Sequence, residues 1–285
     1  MFSRLFSFVL LALLSFALSG CLQIAKVTGP PGNSDKEYRF TSGILETYGN
    51  MIAKVSWRKG RLSRDHAAVD LLRKKLRPLD MIVVKNGHHL TDKLLPGYFS
   101  HTMIWLGSEK ELRRLGLWNR QALRPFHTAI RQGKSILNVD NNGVRMLHHK
   151  VLTTSDAIVI LRATAPGNNR IISQRYRSIA AGFGKEFDFN FHLDTPNQVS
   201  CTEFTARIYP QMKWTYREAL GRRQLLPDDM VDHAFRSNQI AVIAYLSKST
   251  GNSPAQLLSK KALRKKLDGE FIRYATVQRK PSCAG

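Results

Sequence analysis

Five consecutive apolar residues, Ala157-Ile158-Val159-Ile160-Leu161, constrain this chain more than any other segment. A run so short, rich in β-branched side chains and free of polar alternation, reads as a strand buried on both faces. Met81-Ile82-Val83-Val84 and His101-Thr102-Met103-Ile104-Trp105-Leu106, the latter closing on Gly107, are further short β-rich runs bounded by turn residues. Strands are also expected over 136–140, ahead of the turn Asn141-Asn142-Gly143, and over 240–246. Helical patterns are expected over 42–57, 119–132 despite Pro125, 169–183, 228–235 and, strongly basic, 253–267. Another spans 63–76, with Ser63 as cap and Ala67, Leu71, Leu72 and Leu76 on one side. Its other face carries Arg73, Lys74, Lys75 and Arg77, a solvated face in the ordinary case. Strands gathered in the middle with helices before and after predict an α+β domain, and no internal repeat is visible.

The N-terminus predicts export. Arg4 is followed by an almost wholly apolar run to Leu18, too short to favour a membrane span and laid out like a secretory signal peptide. Leu18-Ser19-Gly20-Cys21 then resembles the lipobox of bacterial lipoproteins, in which the chain is cut before the cysteine and the thiol takes a diacylglycerol. The expected organisation is a signal peptide over 1–20, a lipidated tether over 21–39 containing Gly29-Pro30-Pro31-Gly32, and one domain over 40–285 with helical additions at both ends. With Leu22 after the cysteine, the resemblance implies a lipid-anchored envelope protein, at the outer membrane facing the periplasm in a Gram-negative cell.

The formal charge of +23 would ordinarily point to nucleic acid. Export excludes that partner and leaves two readings, a basic surface facing anionic envelope polymers or lipids, or dispersed Lys and Arg that only solvate the surface. No His-Glu-x-x-His spacing and no glycine-rich phosphate loop occurs, so neither metal nor cofactor is expected.

Once Cys21 is set aside for the lipid, Cys201 and Cys283 remain. Ser200-Cys201-Thr202-Glu203 has capping-box spacing before an apolar helix, which makes Ser200 the cap and Cys201 the first helical residue. There the helix dipole and free N–H groups favour the thiolate and could stabilise an oxyanion. The same cysteine could instead be a buried structural residue, or pair with Cys283 in an oxidising compartment. A cysteine nucleophile needs a base, and among nine histidines His101 stands out at the head of a rigid apolar strand. His88, His89, His148 and His149 sit in polar pairs, His66 and His233 on helix faces and His127 in a helix; His192, close to Cys201, could line a site without acting as base.

These residues resemble the permuted papain-like amidases of the YaeF/YiiX-like group, within the NlpC-type cysteine hydrolases, in which the histidine precedes the cysteine in the chain. Leu76-Arg77-Pro78-Leu79-Asp80-Met81-Ile82-Val83 is similar to the family's opening strand, with Leu79 where glycine is usual. Ser100 to Gly107 resembles the histidine motif, Gly184-Lys185-Glu186-Phe187-Asp188-Phe189 the approach to the cysteine, and Ser200 to Phe204 the nucleophile motif. The resemblance implies a circularly permuted papain-like fold, a central antiparallel sheet or barrel with packed helices. It also implies Cys201 as nucleophile and His101 as base. The family's third group is a glutamate five residues before a Gly-Val pair; counting back from Gly143-Val144 puts Asn138 there, with Asp140 on the same strand face as the alternative.

The expected function is a membrane-anchored cysteine hydrolase cleaving an amide in a cell-wall or lipid-linked substrate. The alternatives are an acyltransferase or lipid deacylase of the same superfamily and a non-catalytic wall- or lipid-binding lipoprotein.

Overall fold

The computed structural model describes residues 58–87, 97–189, 191, 193, 195–219, 222–248 and 253–279. All of them belong to the compact unit Ser42–Gly285. The signal peptide, Cys21, the tether, the helix expected over 42–57, His88, His89, His192 and Cys283 lie outside the described residues.

A seven-stranded sheet organises the unit. Its strands are β1 (Met81–Lys85), β2 (His101–Trp105), β3 (Ile136–Asp140), β4 (Gly143–Leu147), β5 (Ala157–Ala163), β10 (Ile240–Ser247) and β11 (Gln256–Leu257), in the order β11-β10-β5-β1-β2-β3-β4. Every neighbouring pair runs antiparallel. Between β5 and β10 come a short parallel pair, β6 (Glu186–Phe187) with β7 (Gln198–Val199), and an antiparallel pair, β8 (Arg217–Ala219) with β9 (Arg222–Gln224). The helices are α1 (His66–Arg73), α2 (Glu109–Arg114), α3 (His127–Arg131), α4 (Asn169–Ala180), α5 (Cys201–Ile208), α6 (Pro227–Arg236) and α7 (Lys260–Arg279).

The continuous apolar run of β5 is explained by its place between β1 and β10, with a core on each face. Val159 and Leu161 join Met81, Val83 and Ile104 in the core that α4, α5 and α6 cover with Tyr176, Phe204 and Met230. Ile158 and Ile160 point the other way, to Ile82, Met103 and Trp105 under Leu62, Val69 and Leu72. Period-2 side-chain alternation thus sorts one strand between two cores.

Four local expectations are corrected. Ser63 does not cap a helix over 63–76: a 3₁₀ turn spans Arg61–Arg64 and α1 starts at His66. The residue in the cap position, Asp65, spends its carboxylate on the Lys248 ammonium at 2.6 Å and the Ala255 N–H at 3.2 Å, so a long-range ion pair displaces the cap. Accordingly Val69 and Leu72 are the buried residues of α1, while Leu71 is 55 % exposed. The stretch 119–132 is a 3₁₀ helix, Gln121–Phe126, followed by α3, because Pro125 has no N–H to give and crowds the preceding turn. The basic helix begins at Lys260 rather than 253, the edge strand β11 preceding it. The helix α2 and the strands β4, β6 to β9 and β11 are additions to the sequence reading.

Leu79 has φ 71°, in the left-handed region where glycine is favoured. Its N–H donates to the Trp105 carbonyl at 2.6 Å and its carbonyl accepts the Tyr209 hydroxyl. The side chain is 7 % exposed within the core. Two backbone bonds and burial of the isobutyl group hold a conformation that costs about 1–2 kcal/mol for a residue bearing a Cβ.

Candidate active site

The site is built where the N-terminus of α5 meets the leading end of β2. Ser200 caps α5: its Oγ accepts the Glu203 N–H at 3.3 Å while the Glu203 carboxylate accepts the Ser200 N–H at 3.3 Å. This reciprocal cap sets Cys201 at the first helical position, 7 % exposed and with its thiol free. The disulfide partner considered above, Cys283, lies outside the described residues. Thr205, one turn on, bonds back to the Cys201 carbonyl and lies 3.4 Å from the Thr102 hydroxyl, which ties α5 to β2.

The histidine side follows from sheet register. Met103 on β2 sits opposite Asn138 on β3, and Asn138 sits opposite Arg145 on β4. Side chains two apart on a strand share a face, so His101, Asn138, Asp140 and Arg145 are all brought to one face of the sheet. Nε2 of His101 lies 2.7 Å from Oδ1 of Asn138. The Asn138 Nδ2 donates to Asp140 at 2.7 Å, and Asp140 accepts both Nε and Nη2 of Arg145. Of the two residues that could have met the imidazole, Asn138 does, and Asp140 stands one position further out. The hairpin that aligns them turns at Asn141-Asn142; Gly143 has φ 75°, and a Cβ there would lie 2.5 Å from the Lys185 carbonyl.

Cys201 and His101 are hydrogen-bonded to each other. With Nε2 turned to Asn138, Nδ1 is the nitrogen left for the sulfur. Burial works against the imidazolium, but the facing Cys201 sulfur, and then Asn138 and Asp140, overcome it and raise the His101 pKa to about 9. Burial likewise opposes the thiolate, yet the His101 charge and hydrogen bond, joined by the N–H and hydroxyl of Thr102, bring the Cys201 pKa below its ordinary value. The two shifts have opposite signs and one cause: each group favours the charged form of the other. Such a pair can attack an electrophilic carbon and then protonate a leaving group.

Three contributors escaped the sequence reading. Thr102 is a polar residue 1 % exposed inside an apolar strand, and its neighbour His101 was the signal that could have found it. Arg145 needed the hairpin register. Asp228, at the start of α6, accepts the N–H groups of Tyr98 and Phe99 at 2.8 and 2.7 Å, fixing the backbone that leads into His101. Gly97, with φ 114°, leaves room for that carboxylate, since a Cβ there would lie 2.7 Å from it. Burial, outweighing the two N–H bonds, raises the Asp228 pKa to about 7. Of the other described histidines, His127 stacks on Trp118, His148 and His149 pack together, and His233 contacts Gln239. Among the described residues no group of three or more His, Cys, Asp or Glu is arranged to hold a metal ion.

No curated protein and no solved structure matches the chain. The family described as permuted papain-like amidase enzyme, YaeF/YiiX, C92 family, matches residues 75–266, which include the helix-capped cysteine, the strand-borne histidine before it and the sheet between them. The chain therefore belongs to the permuted papain-like amidases, cysteine hydrolases of mixed helix-and-sheet architecture.

Proposed function

We propose that this protein is a lipid-anchored amidase in which Cys201 is the nucleophile, His101 its base and acid, and Asn138 the residue that orients the imidazole. The observation that carries the reading is the single imidazole engaged on one side by the thiol and on the other by the Asn138 carbonyl oxygen. The arrangement parallels the Cys-His-Asn sets of papain-like proteases.

The chemistry follows from that pairing. The Cys201 thiolate attacks the amide carbonyl carbon, forming a C–S bond and moving the π electrons onto oxygen. The Cys201 N–H, in the first turn of α5 where no intrahelical carbonyl meets it, stabilises that oxyanion. His101 gives its proton to the departing nitrogen as the C–N bond breaks, leaving a thioester and neutral imidazole. Water then attacks the thioester as His101 takes its proton, and collapse of the second tetrahedral intermediate releases the carboxylic acid and the thiolate.

The substrate in this reading is an amide of the cell wall or of a lipid-linked molecule. A lipid on Cys21 would keep the enzyme beside substrate that cannot diffuse to it. Three measurements test the proposal. A thiol-directed suicide substrate should label the wild type and neither Cys201→Ala nor His101→Ala; labelling that persists in both rejects the assignment. Product analysis with muropeptide mixtures and dansylated phospholipid should show amide cleavage. Release of fatty acid from the phospholipid alone would replace amidase by lipid deacylase. Membrane association unchanged in Cys21→Ser would remove the anchor from the account.

A further inference from the structure

We propose that Asp140, clamped by Arg145, is a positioning residue of the site: it orients the Asn138 amide and supplies at one remove the negative charge that a carboxylate next to His101 would supply directly. This rests on the reading of His101 as the base of Cys201.

Donors and acceptors fix the arrangement. An asparagine amide presents an oxygen on one side and an NH₂ on the other, and nothing in its shape decides which end faces the histidine. Here the far side decides. Asp140 accepts from Arg145 Nε at 3.1 Å and from Arg145 Nη2, and its Oδ1 also accepts the Asn142 N–H at 2.9 Å. Burial opposes its charge, but Arg145 and the Asn142 N–H prevail and hold its carboxyl below the ordinary carboxylate range. An ionised carboxylate can only accept, so the end of Asn138 that meets it at 2.7 Å must be Nδ2–H₂. The Asn138 oxygen is thereby turned to His101, where it can only accept, and the ring must donate from Nε2. That leaves Nδ1 for the sulfur. One ionised side chain two bonds away thus selects both the amide orientation and the tautomer that can serve as base.

The charged groups facing this chain are few. Asp140 is met by Arg145 and, more distantly, by His101. His101 is met by Cys201, Asn138 and Asp140. Asp140 is the anion in this set besides the thiolate, and Arg145 is its ion-pair partner.

Asp140→Asn is the informative change, because asparagine can keep the Asx-type bond to the Asn142 N–H through its own oxygen. Its NH₂ then faces Asn138, which draws the Asn138 oxygen outward and turns the Asn138 NH₂ toward His101. The expected result is a roughly tenfold or greater fall in the alkylation rate of Cys201 by iodoacetamide at pH 7, with the rate-against-pH curve displaced toward that of an ordinary thiol. Adding Asn138→Glu to Asp140→Asn places a carboxylate beside the ring and should recover most of the lost rate. A purely structural Asp140 predicts no such recovery. Asp140→Asn with an unchanged rate and pH curve, while His101→Ala abolishes the enhanced alkylation, overturns the relay and leaves the Cys-His reading standing. His101→Ala with unchanged alkylation overturns the reading itself. Should Asp140→Asn fail to fold by circular dichroism, Arg145→Gln tests the same chain from its outer end: a several-fold fall in alkylation supports the relay, and an unchanged rate rejects it.

Discussion

Two helices of this protein begin with the same four-residue device and do different things. At α2, Ser108 and Glu111 cap one another, the Glu111 carboxylate accepting the Ser108 N–H at 2.8 Å and the Trp105 indole N–H at 3.2 Å. At α5, Ser200 and Glu203 do the same, with Arg207 paired to Glu203 one turn on. The residue placed first in the helix is Glu109 in one case, ion-paired to Arg113 at the surface, and Cys201 in the other, buried against His101. The local geometry and the sign of the helix dipole are shared. What differs is the element across from each, so a capping box delivers a side chain to a defined place and the tertiary partner decides whether chemistry follows.

The largest difference between the two helices lies in the partner of the first residue. His101→Ala leaves the α5 cap and dipole intact, yet amide cleavage should fall roughly 10³-fold and the thiol should return toward ordinary reactivity. Thiol alkylation that stays fast would mean the helix terminus alone activates Cys201. The next largest effect is set by pH. The imidazolium is present below its pKa of about 9, and the thiolate is present above a Cys201 pKa held below the ordinary thiol value. Activity should therefore show a plateau between those limits and decline about tenfold per unit well above pH 9, as His101 loses the proton needed for the leaving group. A rise through pH 9, as for a free thiol, would count against the ion pair. Thr102→Val, which removes the hydroxyl but not the N–H directed at Cys201, should lower the alkylation rate at neutral pH roughly tenfold, one charge-assisted hydrogen bond.

The smallest effects compare the caps directly. Ser108→Ala and Ser200→Ala should each cost about 1 kcal/mol in urea unfolding. Only Ser200→Ala should also slow alkylation of Cys201. Equal kinetic behaviour in the two variants would show that the cap contributes to the fold and nothing to the thiol.

Much of the site was legible because its parts are encoded locally. The S-x-x-E spacing identified the start of α5, and the polar His101 at the head of an apolar run identified its strand. Asn138 was reached by counting from Gly143-Val144, and alternation put Asp140 on its face. The contact with His101 belongs to Asn138, and the division of labour between the two needed the β2–β3–β4 register. Other misses have the same origin. The cap expected at Ser63 is not made and Asp65, in the cap position, bonds Lys248, 183 residues away; Leu71 was assigned to the buried side of α1 although 55 % of it is exposed. Neither outcome is written within one turn of helix.

What the sequence determined by itself is the set of local states: a continuous apolar strand at β5, a capped helix starting at Cys201, a turn at Asn141-Asn142 and the motifs that mark the family. Propensity, capping and side-chain period act over a few residues and can be read there. The tertiary structure alone decided that Thr102 reaches Cys201, that Arg145 clamps Asp140 behind Asn138, that Asp228 holds the backbone leading into His101, and that the thiol at the head of α5 faces an imidazole rather than solvent. Hydrogen-bond partners and local dielectric depend on groups far apart in the chain, and the pKa values that make a cysteine and a histidine reactive depend on both.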